Sequence, residues 1–172
     1  MYIFETDRLL FRRLTHDDRE TVASALKDER VMTPMHLPVS EEFIDEWLER
    51  MLCLYETSGA ANWYVERRED GLFVGIMGVV VSETDSATIA ELGYFVQPSL
   101  QRQGYALEGV RACMDYAFSQ LYADYVTALI PEDNLPSVRL AERLELQPVQ
   151  QLLYAHGDET VTYILYAARN PG

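Results

Sequence analysis

One α/β domain over residues 1–172 is the fold the sequence predicts, on three observations. The chain has 172 residues with 48% apolar and 24% charged side chains, a globular balance with enough chain to bury a core without disulfide or metal staples. Its hydrophobic period switches between helical and strand spacing in an alternating order. No repeat, low-complexity tract or linker interrupts it.

The elements follow in order. Leu9–Arg13 reads as a short strand. Thr15 then serves as a helix N-cap, with Asp18 three residues on to complete a variant capping box, and the helix is expected to run to about Asp28. A proline-flanked loop, Thr33-Pro-Met-His-Leu-Pro38, precedes Ser40. That serine caps a longer helix whose first turn holds Glu41 and Glu42, favourable beside the positive dipole end. Phe43, Ile44, Trp47, Leu48, Met51, Leu52 and Tyr55 repeat at helical spacing as a core stripe, and Gly59 closes the helix. Trp63–Arg67 and Leu72–Val81 are strands around the turn signal Asp70-Gly71, and Ala87–Val96 completes an antiparallel meander that Pro98 stops. From Gly104 to about Leu121 the helical period returns through Leu107, Val110, Met114, Ala117, Phe118 and Leu121. Tyr125–Ile130 is an apolar-rich run, the pattern of a buried parallel strand. A short helix over Pro136–Leu144 and two strands, Val149–Tyr154 and Thr160–Ala167, finish the chain.

Fourteen basic residues against 28 acidic ones set a formal net charge of −14 and a pI near 4.5. Such a field repels nucleic-acid phosphates and anionic lipid, so neither is expected as a general partner. It favours a cationic acceptor such as an amine, although solubility alone accounts for excess carboxylates. No apolar run approaches the ~18 residues of a membrane span, and Met1–Leu10 lacks the order of a signal peptide, so a cytoplasmic protein without a membrane partner is expected. Cys53 and Cys113 are read as buried, reduced packing residues. His16, His36 and His156 are scattered, which gives no support to a metal centre. His36 reads as a surface histidine or the edge of a substrate pocket.

The informative stretch is strand, proline, glycine loop, helix: Glu91-Leu-Gly-Tyr-Phe-Val-Gln-Pro98 followed by Gln101-Arg-Gln-Gly-Tyr-Ala106. A glycine at the mouth of a helix lets backbone N–H groups converge on an anion, and the helix dipole adds about half a positive charge. Arg102 lies within the loop to help. Neither a P-loop nor a GxGxxG fingerprint is present. Downstream, a strand ends in Pro131-Glu-Asp-Asn134, with Ser137 three residues on.

In order and spacing, these motifs resemble the GCN5-related N-acetyltransferases (GNAT family), specifically the branch that includes ribosomal-protein N-terminal acetyltransferases. Glu5-Thr-Asp-Arg-Leu-Leu-Phe-Arg-Arg13 looks like that branch's first strand. The resemblance implies a mixed, mostly antiparallel central sheet with helices on both faces and splayed central strands, in one N-acetyltransferase domain. It implies acetyl-CoA as cosubstrate and no metal. The coenzyme pyrophosphate would lie on the amides from Arg102 through Gln103, Gly104, Tyr105 and Ala106 to Leu107, after Gln101. Tyr94, Phe95 and Val96 would bond the pantetheine arm as an added strand, and an N–H near Phe95 or Val96 would hold the oxyanion. Asn134 would bond the pantetheine with Ser137 close by, although Asn134 equally reads as the N-cap of the short helix. Glu91 matches the glutamate often assigned as general base, and Glu108 reads as structural. Some relatives carry a tyrosine acid where this chain has Ala141, which leaves Ser137 or solvent to protonate the thiolate. Leu144-Glu-Leu146 replaces the family's Leu-Gly-Phe.

The acceptor expected is an amine-bearing small molecule or a protein N-terminus, in a pocket built by the early helices, the Thr33–Leu37 loop and the Val149–Ala167 hairpin. The alternative is a non-catalytic acyl-CoA sensor of the same fold. A homodimer paired through the terminal strands is a further expectation.

Overall fold

The computed structural model describes residues 1–37 and 40–172, so Pro38 of the predicted loop lies outside the described residues. Eight strands form one sheet in the order β1-β2-β3-β4-β5-β6-β8-β7. β1 (Tyr2–Glu5) and β2 (Leu9–Arg12) make a hairpin, and β2 pairs antiparallel with β3 (Asn62–Arg67). β3, β4 (Phe73–Glu83) and β5 (Thr88–Val96) are the predicted antiparallel meander. β6 (Tyr125–Pro131) lies parallel to β5, as its apolar run predicts, and antiparallel to β8 (Glu159–Arg169), which pairs with β7 (Gln147–His156).

Between β2 and β3 run α1 (Arg19–Leu26), the single turn α2 (Glu29–Met32) and α3 (Glu41–Thr57). The capping box at Thr15 forms: the Asp18 carboxylate accepts the Thr15 N–H at 2.8 Å and its hydroxyl at 3.0 Å. It opens on a 3₁₀ turn, His16–Asp18, before α1 begins. The helix expected to reach Asp28 stops at Leu26, and the Asp28 side chain starts α2 by accepting the Arg30 N–H. Ser40 caps α3 by accepting the Phe43 N–H at 3.0 Å. Ile44, Leu48, Met51 and Tyr55 of the predicted stripe are buried.

α4 (Tyr105–Ser119) joins β5 to β6, and α5 (Leu135–Arg143) joins β6 to β7. Neighbouring residues of β3 show that helices cover both faces. Trp63 meets Tyr116 of α4 edge to face, while Arg12 on the opposite side stacks over Tyr64 and grips Asp18 at the start of α1. Cys113 is buried on α4, and burial pushes its thiol pKa up. Cys53 corrects the expectation of two buried thiols: α3 turns it to solvent two positions past buried Met51. The turn at Leu144–Leu146 forms without the family's glycine because Glu145 itself takes a left-handed conformation (φ +63°), and Leu146 N–H bonds back to Ala141.

Candidate active site

A wedge opens in the middle of the sheet. β5 and β6 pair only at Ile89–Tyr125, Ala90–Val126 and Glu91–Thr127. Beyond Glu91, β5 stays with β4 as far as Val96–Gly75, whereas β6 stays with β8 as far as Pro131–Tyr163. The β6-facing edge of residues 92–96 is therefore left to other partners, and unpaired backbone groups are a template for an added strand.

The wedge leads to the start of α4. Gln97 and a 3₁₀ turn over Pro98–Leu100 carry the chain into the glycine loop, where the Gln101 side-chain amide donates to the Val96 carbonyl at 3.1 Å and fastens the loop to β5. Arg102 (φ +62°) and Gly104 (φ +83°) both adopt left-handed conformations. Gly104 has no side chain with which to cap the helix. The first intrahelical bond runs from Glu108 N–H to the Gly104 carbonyl at 3.1 Å, so the preceding amides precede the helix's own ladder. A Cβ at Gly104 would meet only the Arg8 guanidinium, at 3.4 Å. Its left-handed backbone, rather than crowding, is what calls for glycine here.

Wedge and loop share one cleft of about 610 Å³. Of the residues singled out by sequence, Tyr94, Phe95, Val96, Gln101, Arg102, Gly104, Tyr105, Ala106, Leu107, Asn134 and Ser137 line it. Gln103 does not: its side chain turns to the Ser99 carbonyl, and its own carbonyl accepts from Arg8. Asn134 is buried and caps α5, its Oδ1 accepting the Ser137 N–H at 3.3 Å. Burial pushes the Tyr94 phenol up, and the neighbouring Ser137 hydroxyl works in the opposite direction.

Glu91 stands apart from this cleft. Residues alternate faces along a strand, so Glu91 and Gly93 point away from the face that Tyr94 shares with Ser137. Glu91 is solvent-accessible at the apex of the wedge, on the side of α3. The surrounding sheet and helix still remove enough water that burial raises its carboxyl pKa above the ordinary value, with Arg50 of α3 pulling the other way.

Four arginines also border the cleft, namely Arg30 of α2, Arg102, and Arg139 and Arg143 of α5. In a chain of charge −14 they concentrate positive charge at the cleft. Sequence spacing singles out only Arg102, because the others reach the cleft from elements far apart in the chain. Residues 8–147 match the family of acetyltransferase (GNAT) domains. The chain belongs to the GNAT family.

This GNAT acetyltransferase is 31% identical over 140 residues to YkkB, an uncharacterized protein of Bacillus subtilis (strain 168), with 81% of each chain covered. A GNAT-family acetyltransferase from Bacillus anthracis matches over 100% of both chains, with a TM-score of 0.82 and 25% identity. A ribosomal L7/L12 alpha-N-protein acetyltransferase solved with coenzyme A covers 98% of each chain at a TM-score of 0.81 and 15% identity, a likeness of fold. Among the described residues, no helix is long and apolar enough to cross a membrane, and no cluster of His, Cys, Asp and Glu suits a metal ion.

Sequence reading missed Arg8. Its Nε meets Glu108 Oε2 at 2.6 Å, its Nη1 donates to the Gln103 carbonyl at 3.0 Å, and its guanidinium lies 4.5 Å from the Tyr105 ring centre. Glu108 also accepts the Thr6 hydroxyl at 2.6 Å and the Arg8 N–H at 3.0 Å. Burial alone would raise the Glu108 carboxyl, but these donors bring it below its ordinary value. The expected structural role of Glu108 is thus to clamp the β1–β2 turn onto α4. His36 is half-buried rather than fully on the surface, with Nε2 3.0 Å from both Asp133 carboxylate oxygens.

Proposed function

We propose that this acetyltransferase moves the acetyl group of acetyl-CoA directly to a primary amine, with no covalent enzyme intermediate. The observation that carries the reading is the wedge past Glu91–Thr127, which meets the left-handed loop at the head of α4 inside one arginine-bordered cleft. The amides of 102–107 would take the pyrophosphate, helped by the helix dipole. The open edge of Tyr94, Phe95 and Val96 would bond the pantetheine arm. The Asn134 amide group, its oxygen already given to Ser137 N–H, keeps its NH₂ to donate to the same arm.

The amine nitrogen attacks the thioester carbon, an N–C bond forms, the C–S bond breaks, and the nitrogen loses a proton. Glu91 takes that proton through water; burial raises its pKa, which makes it a stronger base than an ordinary carboxylate. An N–H near Phe95 or Val96 holds the oxyanion, and donors of this kind contribute about 2.7–4 kcal/mol in comparable sites. Ala141 is buried at 1% exposure where some relatives have a tyrosine, so the thiolate takes its proton from Ser137 or solvent. The acceptor is an amine-bearing small molecule or a protein N-terminus, entering on the Glu91 face between α3, the Thr33–Leu37 segment and the β7–β8 hairpin.

Calorimetry with acetyl-CoA, followed by thiol release over a panel of spermidine, tyramine and short peptides with free N-termini, tests this. Binding with amine-dependent thiol release is expected. Binding without release on any amine would instead support an acyl-CoA sensor.

A further inference from the structure

On the acceptor face, two glycines clear a slot in the sheet and a polar side chain fills it. Gly78 of β4 and Gly93 of β5 are cross-strand partners. A Cβ at Gly78 would come within 2.4 Å of the Ala61 carbonyl oxygen and 2.5 Å of Asn62 Cα. One at Gly93 would lie 2.8 Å from Asn62 Nδ2 and 2.9 Å from its Oδ1. The Asn62 amide therefore lies directly on the β5 backbone at Gly93. Because Gly93 and Glu91 are two residues apart on one strand, they face the same way. This places the amide one pleat from Glu91, at the level where β5 and β6 part.

The backbone of Asn62 is held firmly: its N-terminal neighbours Ala60 and Ala61 are fully buried, and its carbonyl accepts the Tyr55 hydroxyl. Its side chain is not so satisfied. Asn62 Oδ1 is the buried side-chain polar atom that finds no hydrogen-bond partner among the described residues. An orphaned buried acceptor is costly, and a leucine of similar size avoids that cost entirely. The torsion that orients the amide is soft and roughly two-fold, so a half-turn exchanges Oδ1 with Nδ2. The residue is only half-buried while Oδ1 is covered, so a half-turn is what would bring the oxygen towards the acceptor side.

We propose that Asn62 is a positioning residue for the acceptor: its Oδ1 accepts a hydrogen bond from the attacking amine and aims the nitrogen lone pair at the thioester beside Gly93. This inference rests on the acetyl-transfer reading above. It adds a role on a strand that the coenzyme motifs do not touch.

The test compares Asn62→Leu and Asn62→Asp with the unmodified protein. Spermidine, tyramine and the peptide Ala-Phe-Gly are the amine probes, and acetyl-CoA hydrolysis without amine is the control. Asn62→Leu is expected to raise the amine KM about tenfold, the worth of one well-placed hydrogen bond. The acetyl-CoA KM and the amine-free thiol release should stay unchanged. The melting temperature should rise by about 2–4 °C as the orphaned oxygen disappears. Asn62→Asp keeps an acceptor oxygen and should hold the amine KM within about threefold. Unchanged amine kinetics in the leucine variant would overturn the proposal, as would a parallel loss of acetyl-CoA binding and melting temperature. If the unmodified protein transfers to none of the probes yet the leucine variant gains stability, the transfer reading itself fails and takes this role with it.

Discussion

Replacing Arg8 with alanine removes three contacts that converge from outside on the glycine loop and the head of α4. The ion pair to Glu108 spans 2.6 Å, but the Arg8 side chain is 45% exposed, so screening by solvent holds its worth to about 0.5 kcal/mol. The bond to the Gln103 carbonyl at 3.0 Å contributes about 1 kcal/mol, and the guanidinium over Tyr105 about 0.5 kcal/mol. Roughly 2 kcal/mol of stability is therefore at stake, which at this chain length lowers the melting temperature by about 4–8 °C. Only the contacts to Gln103 and Tyr105 bear on the amides that would receive the pyrophosphate. Their loss, about 1.5 kcal/mol, should weaken coenzyme A binding about tenfold. Calorimetry with coenzyme A and thermal melts, both at one ionic strength, measure the two effects separately. If the melting temperature falls as stated while the coenzyme Kd stays within twofold, Arg8 fastens the β1–β2 turn to α4 without shaping the loop.

Four other substitutions follow from the same geometry. Glu91→Gln should lower kcat by about 100-fold or more and leave acetyl-CoA affinity alone, because Glu91 lies outside the cleft. A base works only when deprotonated, so the unmodified rate should fall as pH drops through the raised Glu91 pKa; persistence of that limb in the glutamine variant would remove Glu91 as base. Arg12→Met strips both Asp18 (2.8 Å) and Glu66 (2.9 Å) of their partner and should cost about 3 kcal/mol in denaturant unfolding. Burial would raise the Asp18 carboxyl, but Arg12 and Thr15 hold it below its ordinary value. The stability it lends is present above its unfolded pKa and lost as pH falls through the lower folded one, so Asp18→Asn should be costly at neutral pH and nearly neutral in strong acid. Glu145→Gly relieves a left-handed residue at the end of α5 and should add about 1 kcal/mol in a thermal melt; a lower melting temperature would contradict it.

The cleft was largely legible because its parts are local in sequence. A strand stopped by Pro98, a glycine at the mouth of α4 and Asn134 capping α5 each leave a signature within a few residues. The parallel placement of β6 was legible as well, since only a strand covered on both faces carries so apolar a run. Contacts between distant segments were not legible. Arg8 reaches Gln103 across 95 positions, and nothing around residue 8 marks a partner. β1 was missed because four residues are too few to show alternation, and its stability comes from Phe4 stacking on Phe11 and Tyr116. Cys53 was misjudged because apolar residues occupy so much of α3 that the stripe's edge cannot be drawn from spacing alone. The Asn62 slot depends on two glycines meeting across strands, a fact of register rather than of motif.

Backbone amide hydrogen exchange with and without acetyl-CoA reads occupancy of the wedge and the glycine loop together. New protection is expected at the amides of Arg102–Leu107 and along Tyr94–Val96, with the rest of the sheet changing little. Protection confined to other segments, with those two stretches exchanging as before, would contradict that occupancy.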